Sequence, residues 1–488
     1  MSRVRSLILA CVTSALASAC ARDAEPTGPI TGGANLSDKT NTVDGEKTTI
    51  GAMSLSPDGR FAVLHDATTT TVVEIATRKE HVRTERWDRL VFGLDERARA
   101  IAYVSRPGYG GVVAVDLESG AEKWSLLPAY YNEGGAQFFR LAQGGRVLVA
   151  GDVRRVFRID TQTGAIKGLP TPIGEFPQFA LVSQSGKRLF VVAETRWASD
   201  DEPRTPFTSV DLETGDATTI EIPNCAAPPA VLNDDSRVFV SPTFCQRGAS
   251  FEAEWQGSAT RGVDPVSVID IAPSGAPSFK RNLPGFGPIT LSADGAHAIA
   301  FLDAQRLDPK LFDDKSQVPG PSADRYHLMW IEPRTERFSL QPIGQDLPRF
   351  AFSADGTKLL VDSTVIAQRR ITLLSFAQSG PSVRIGLFES TPASSLLGVL
   401  DVKTRAFRPL QGPRTSLDRF VQLPGGRTVY TLAAAGPDAP LRMLDLAGET
   451  VHDTGRKARD LALLADGRLV LRDQAGALCI TRDGSACE

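Results

Sequence analysis

The sequence has little of the material from which metal centres and hydrolytic active sites are built. Its 488 residues include only five His and six Cys. It contains no G-x-S-x-G or H-E-x-x-H pattern, no acidic calcium-binding loop and no phosphate-binding glycine loop. We therefore expect no catalytic residue, metal site or cofactor. Basic residues are not in excess either, since 54 Lys+Arg face 57 Asp+Glu and the net charge is −3. This balance excludes a nucleic-acid binder that works through gross positive charge.

Long apolar runs are also missing, and the apolar run near the N-terminus is short. It extends from Leu7 to Val12, which is too short to span a bilayer as a helix. Arg3 and Arg5 precede it, and small residues follow it, which is the order found in a secretory signal. The sequence therefore predicts a signal peptide at residues 1–19.

The residues after the predicted signal peptide indicate how the protein is held. The segment Leu-Ala-Ser-Ala-Cys that ends at Cys20 resembles a bacterial lipobox, and this resemblance implies lipidation of Cys20. Cleavage after Ala19 without lipidation is the alternative. Residues 20–47 are rich in Gly, Thr, Asn, Asp and Pro, and predict a flexible linker. We expect an exported protein that an N-terminal lipid anchors at the outer membrane, facing the periplasm or the cell surface.

Residues 48–488 consist of one repeating unit with two alternating patterns. The first pattern is a strand, a tight turn and a strand, with turns whose Asp-Gly sequence suits the positive φ angles of short hairpins. Its clearest turns are Asp58-Gly59, Asp294-Gly295, Asp355-Gly356 and Asp466-Gly467. The second pattern is an apolar strand that ends in an acid, and we predict that this acid caps the turn that follows. Its copies end at Glu74, Asp116, Asp160, Asp211, Asp270, Glu332, Asp401 and Asp445.

Four strands per unit, repeated along the chain, predict an all-β fold, namely a single β-propeller of four-stranded blades. The copies resemble the repeats of bacterial WD40-like and YVTN-type propellers, and Val113 to Trp124 is similar to a quinoprotein-type repeat. This resemblance implies the fold and little about activity. The sequence contains nine turns of the first pattern but eight acids of the second. Eight blades are therefore favoured, while seven and nine stay open. The last unit lacks the acid after Ile480, and residues 47–50 could complete its sheet.

Four cysteines are placed symmetrically around two predicted hairpin turns. Cys225 and Cys245 flank the turn near Asp235, and Cys479 and Cys487 flank the turn at Asp483. Residues equidistant from a hairpin turn face one another at the Cα separation that a disulfide requires. We therefore predict the disulfides Cys225–Cys245 and Cys479–Cys487, with four unpaired thiols as the alternative. Zinc is disfavoured because Cys-x-x-Cys spacing is absent.

The connections between the second and third strands differ most between the units. They are short in the early units and lengthen at about 194–206, 244–264, 303–326 and 364–394. If the register is right, the four long loops rise from one face of adjacent blades, and long loops in a compact fold are often functional. The predicted ligand-binding residues on them are Trp197, Phe251, Trp255, Phe312 and Arg325. The alternative is that these aromatic rings pack over their own blades. Among the histidines, His327 near Asp324 is the one worth testing.

Three functions stay open from the sequence. The first is a binding module of the cell envelope that holds a protein or a glycan on the long-loop face. The second is a propeller enzyme, of lactonase- or lyase-like type, with acids and a divalent ion in the central funnel. The third is a scaffold of an envelope complex without a ligand of its own.

Overall fold

The structure, a computed structural model, describes residues 53–487 with internal gaps. The residues left out within that range are 107–110, 127–137, 152–155, 170–176, 200–201, 242–264, 306, 321–323, 345–348, 363–369, 376–383, 390–396, 414, 416, 418, 424, 433–438, 483 and 485. The predicted signal peptide, Cys20 and the linker lie outside the described residues. In the part of the chain that is described, no helix is long and apolar enough to cross a bilayer.

The described chain forms 38 strands, which we number β1 to β38 in chain order. Blades 1 to 3 comprise β1 to β12: Met53–Leu55, Phe61–His65, Thr69–Glu74, Glu80–Glu85, Arg89–Leu94, Ala100–Ser105, Val112–Asp116, Glu122–Leu126, Phe138–Ala142, Val147–Gly151, Val156–Asp160 and Ile166–Leu169. Blades 4 to 6 comprise β13 to β25: Pro177–Val182, Arg188–Ala193, Arg196–Ser199, Glu202–Asp211, Ala217–Ile222, Pro229–Val231, Arg237–Val240, Val266–Ile271, Pro277–Leu283, Phe286–Leu291, Ala298–Asp303, Tyr326–Ile331 and Phe338–Gly344. Blades 7 to 9 comprise β26 to β38: Arg349–Phe352, Lys358–Asp362, Arg370–Ser375, Arg384–Glu389, Leu397–Asp401, Phe407–Pro409, Arg419–Gln422, Thr428–Leu432, Ala439–Asp445, Thr450–Ala458, Asp460–Leu463, Leu469–Arg472 and Leu478–Thr481. Short 3-10 helices occupy Gln143–Gly145, Pro309–Leu311 and Lys315–Gln317.

The turns of the first pattern are built from the residues that define them in the sequence. Ser353 Oγ donates to Asp355 Oδ1 over 2.6 Å and accepts from Lys358 N over 2.9 Å. Gly356 closes the turn at a φ of +69°, a conformation that a side chain disfavours. The same serine-to-aspartate bond recurs at Ser56–Asp58 and Ser292–Asp294. The predicted hairpins are confirmed, because local turn chemistry fixes them.

Most acids of the second pattern cap the turns that follow their strands. Asp116 Oδ1 accepts from Glu118 N over 3.1 Å and from Ser119 N over 2.9 Å. The equivalent acceptors are Asp160, Asp211 and Asp401. These bonds satisfy backbone N–H groups that the sheet leaves unpaired. The capping role that the sequence predicted is therefore confirmed for these four acids, whereas the side chain of Asp270 instead accepts from Arg237 Nε over 2.7 Å.

The sheets form a closed ring of nine antiparallel blades. First strands of neighbouring blades contact one another, as β5 and β9 do, so the first strand of each blade is innermost. In the described residues, nine apolar clusters each join two adjacent blades. The cluster between the ninth and first blades contains Leu55, Leu64, Leu464 and Val470. Burial of these side chains closes the ring through the hydrophobic effect.

Nine is the largest of the three blade numbers that the repeats left open. The nine first-pattern turns are the better measure of the blade number, because the last unit lacks the second acid yet still forms a blade. Within the described residues, that blade has the three strands β36, β37 and β38. Residues 47–50, the predicted source of its fourth strand, lie outside the described residues.

The long connections fall between the second and third strands of blades 4 to 7, as predicted. Blade 4 extends its third strand into a hairpin of β15 with β16, and blade 7 carries the hairpin of β28 with β29. The blade 6 connection contains two of the 3-10 helices, whereas the blade 5 connection lies outside the described residues. These four connections therefore occupy the same position in four successive blades.

One predicted disulfide is formed. Cys479 and Cys487 are bonded, with 5.3 Å between their Cα atoms, and join β38 to the C-terminal segment. Cys225 is buried and disulfide-bonded. Its predicted partner, Cys245, lies outside the described residues, so the pairing Cys225–Cys245 stays a prediction.

Candidate functional site

Three of the five predicted ligand-binding residues cannot be placed by their side chains. Phe251 and Trp255 lie outside the described residues. Trp197 belongs to the hairpin of β15 with β16, and its side chain is not described. Their roles stay predictions.

Phe312 lies in the long connection of blade 6, but its ring is buried. The residue is 6% exposed, and its ring packs edge-on against Phe338 at a centroid distance of 5.7 Å. Phe338 begins the outermost strand of the same blade. The expectation of an exposed aromatic contact is therefore corrected at this position, because the loop folds back and buries the ring on its own blade.

Arg325 closes the base of the same loop. Its Nε and Nη2 atoms donate to Asp303 Oδ2 over 3.1 and 2.9 Å, and its guanidinium stacks over Tyr326. Asp303 is buried, and its hydrogen bond raises the pKa of Arg325. The carboxylate of Asp303 thus engages the guanidinium that was predicted to meet a ligand.

The rest of the blade 6 loop is held along the outer edges of blades 5 and 6. Asp313 accepts two hydrogen bonds from Arg281 in β21, at 2.7 and 3.0 Å. This bidentate pair lowers the pKa of Asp313. Asp308 and Asp314 each cap one of the 3-10 helices by accepting from a backbone N–H. Ion pairing and capping therefore hold the described part of the loop against its neighbours.

This loop forms one wall of an open groove of about 520 Å³. The opposite wall comes from the third and fourth strands of blade 6 and from a turn of blade 7. Residues that line the groove include Asp313, Asp314, Trp330, Arg337, Ser339 and Arg405. Asp313 and Asp314 belong to a loop that the sequence marked, but none of the six is among the five predicted ligand-binding residues. The groove gathers them from separate repeats, so no local motif marks it.

Charged groups of both signs surround the groove. Arg405 lies over the Trp330 ring, 5.4 Å from its centroid, and donates to Ser339 Oγ over 2.6 Å. At the other end, buried Glu336 pairs with Lys280 over 2.6 Å and with Arg237 over 3.0 Å. Glu336 thereby raises the pKa of Lys280. These contacts hold the charged side chains of the groove in place. The groove can therefore bind a polar chain that carries charges of its own.

No family model and no curated protein sequence matches this chain. Solved structures do. Hydrazine synthase of Kuenenia stuttgartiensis has 13% identity and a TM-score of 0.38, covering 65% of this chain and 94% of that chain. Dihydro-heme d1 dehydrogenase NirN in complex with DHE has 17% identity and a TM-score of 0.41, covering 75% and 67%. Oligogalacturonate lyase in complex with manganese has 11% identity and a TM-score of 0.37, covering 80% and 94%. At these scores the likeness carries no argument about activity.

The described residues bring no group of three or more His, Cys, Asp or Glu side chains together in a way that could hold a metal ion. His327, the histidine singled out from the sequence, is buried in β24 between β23 and β25. Burial lowers its pKa, while Asp324 acts in the opposite direction. His327 does not line the groove.

Proposed function

We propose that this protein is a binding module of the cell envelope that holds a protein partner in the groove beside the 303–326 loop. The observation that carries the proposal is that the loop is fixed by Arg281–Asp313 and by Phe312–Phe338, so the groove exists before any partner arrives. A preformed surface loses less conformational entropy on binding.

A protein fits the groove better than a glycan does. Sugar rings stack on exposed aromatic faces, whereas Trp330 is 4% exposed and lies beneath Arg405. Fixed charges of both signs suit an extended polypeptide with its own charged side chains and backbone amides. A glycan partner remains an outcome of the test below.

The proposal includes the place of the protein in the cell. The signal-like residues 1–19 would direct export, and a lipid on Cys20 would anchor the propeller through the 20–47 linker. Labelling cells with an alkyne fatty acid tests this part. The label should appear on the wild-type protein and be lost from Cys20→Ala; equal labelling of both would contradict the anchor.

Site-specific photo-cross-linking in living cells tests the groove. A photoreactive phenylalanine analogue is placed at Arg337, on the groove, or at Lys79 as the matched control. Both residues are exposed, and they occupy equivalent positions after a turn. The carbonyl of Arg337 accepts a hydrogen bond from the backbone N–H of Glu332 over 2.8 Å, and the carbonyl of Lys79 accepts one from that of Glu74 over the same distance.

We expect a discrete cross-linked protein from position 337 and none from position 79. The variant Arg405→Glu should abolish this cross-linked product, because it replaces the positive charge over the groove with a negative charge. The proposal is overturned if both positions give the same products, or if position 337 gives none. If glycosidases remove the cross-linked products, the partner is a glycan and not a protein.

A further inference from the structure

A second set of polar residues lies at one end of the central channel, in blades 8, 9 and 1. Arg419 and Asp460 are the first residues of the innermost strands β32 and β36, so they lie at the same end of the ring. Arg472 faces Asp460 in the antiparallel register, and Arg459 precedes Asp460. We call Arg419, Arg459, Asp460, Arg472 and Asp66 of blade 1 the axial mouth.

Direct contacts join these five residues. Arg419 Nη1 donates to Asp460 Oδ1 over 3.2 Å, and Arg472 Nη2 donates to Asp66 Oδ1 over 2.9 Å. Arg459 Nη1 lies 3.3 Å from the same oxygen of Asp66. The longest contact is between Arg472 Nη1 and Asp460 Oδ2, at 3.6 Å. The axial mouth is therefore one network across three blades.

Positive charge exceeds negative charge in this network, although the whole protein is acidic. Three arginines meet two aspartates, against a net charge of −3 for the chain. In blades 2 and 3, burial and the nearby Arg140 lower the pKa of Arg89, while Asp88 opposes the shift. Clustered arginines in a cleft raise the local concentration of anions.

Three buried nitrogen atoms in and beside the axial mouth have no hydrogen-bond partner among the described residues. They are Nε and Nη1 of Arg472, a residue 3% exposed, and Nε2 of the fully buried His65. The Oδ2 atom of Asp460 has none either. Buried polar atoms are costly to leave unpaired in a folded protein. In contrast, the side chains of Arg419 and Arg459 are about one third and one quarter exposed, so a solute can reach them.

We propose that the axial mouth binds a small oxyanion, a carboxylate or phosphate group, through Arg419 and Arg459 above the buried Arg472. Arginine presents paired N–H donors that match the oxygens of either group. Because the network contains three arginines and two aspartates, its net positive charge attracts the anion. This site is separate from the groove and needs no partner protein, so it stands whether or not the groove is functional.

Thermal unfolding of the purified protein, titrated with inorganic phosphate or with citrate, tests the proposal. Ionic strength is held constant with chloride, because screening alone changes the stability of a charged surface. A ligand that binds the folded state raises the unfolding midpoint in a saturable way. We expect such a rise with at least one of the two anions, and the effective one identifies the oxyanion.

The double variant Arg419→Gln, Arg459→Gln should weaken binding by about tenfold or more, since two charge-assisted hydrogen bonds are lost. Arg334→Gln with Arg408→Gln is the matched control, because both arginines are exposed and paired with a carboxylate elsewhere. If the mouth variant does not fold, the single variant Arg459→Gln replaces it. The proposal is overturned if neither anion acts beyond chloride, or if mouth and control variants respond like the wild type.

Discussion

The backbone N–H of Gln143 in blade 3 donates to the carbonyl of Gly186 in blade 4 over 3.2 Å. Each residue belongs to the first-pattern turn of its blade, so neighbouring turns contact one another through their backbones. Gly186 has a φ of +68°, and a Cβ atom built on it would lie 2.7 Å from Gln143 N. The glycine is therefore required by its conformation and by the packing of two blades.

Gly186→Ala should destabilise the protein more than the same change at a glycine with free space. Gly467 is the matched control, since it also has a positive φ of +85° but nothing lies within 4 Å of its Cβ position. The left-handed conformation costs about 1 kcal/mol in either variant, and the clash adds about 1 to 3 kcal/mol at Gly186. Urea unfolding measures both; equal losses would show that the turns do not pack as described.

The fold was predictable because its signals are local. Asp355 and Gly356 specify a turn by their own hydrogen bonds and φ angle, and the pattern repeats often enough to imply a ring. The favoured blade number was too low for an equally local reason. The last blade lacks the acid after Ile480, so a count of that acid misses it.

The groove and the axial mouth were not predictable, because their residues come from different repeats. Arg281 and Asp313 belong to different blades, and Arg472 meets Asp66 across 406 residues. Phe312 shows the same limit. An aromatic among charged loop residues suggests exposure, whereas folding back onto Phe338 buries its apolar surface.

Removal of the C-terminal disulfide should weaken the ninth blade. Closure of a short loop by a disulfide stabilises a protein by about 2 to 3 kcal/mol in the chain-entropy description. Cys479→Ser with Cys487→Ser should therefore lower the free energy of unfolding by that amount. Wild-type protein treated with a reductant is a poorer comparison, because Cys225 is disulfide-bonded as well. An unchanged urea midpoint in the double variant would contradict a stabilising role.

Arg472→Gln should destabilise the closure of the ring by about 3 kcal/mol, because it removes a buried cation from beside Asp460. Burial already raises the pKa of Asp460, so this carboxylate depends on its arginines. Asp460→Asn combined with Arg472→Gln should cost less than the sum of the two single changes. The exposed pair Arg334–Asp234 is the control, and Arg334→Gln should cost less than about 0.5 kcal/mol. Strict additivity at Asp460 and Arg472 would show that the two side chains do not interact.

His65 should make the folded protein sensitive to mild acid. The side chain is fully buried, and burial, then Arg86 and Arg472, lower its pKa from 6.5 to about 4, while Asp66 opposes the shift. Between these values the unfolded chain binds the proton and the folded protein does not. Stability is therefore complete above pH 6.5 and falls as the pH drops towards 4, by about 3 kcal/mol.

His65→Gln should remove most of that pH dependence while lowering stability at neutral pH, because the hydrogen bond between His65 Nδ1 and Thr70 Oγ1, at 2.9 Å, is lost. Urea unfolding at a series of pH values measures both effects. His452→Gln, at an exposed histidine, controls for the loss of an imidazole. If the His65 variant keeps the acid sensitivity of the wild type, a different buried group is responsible for it.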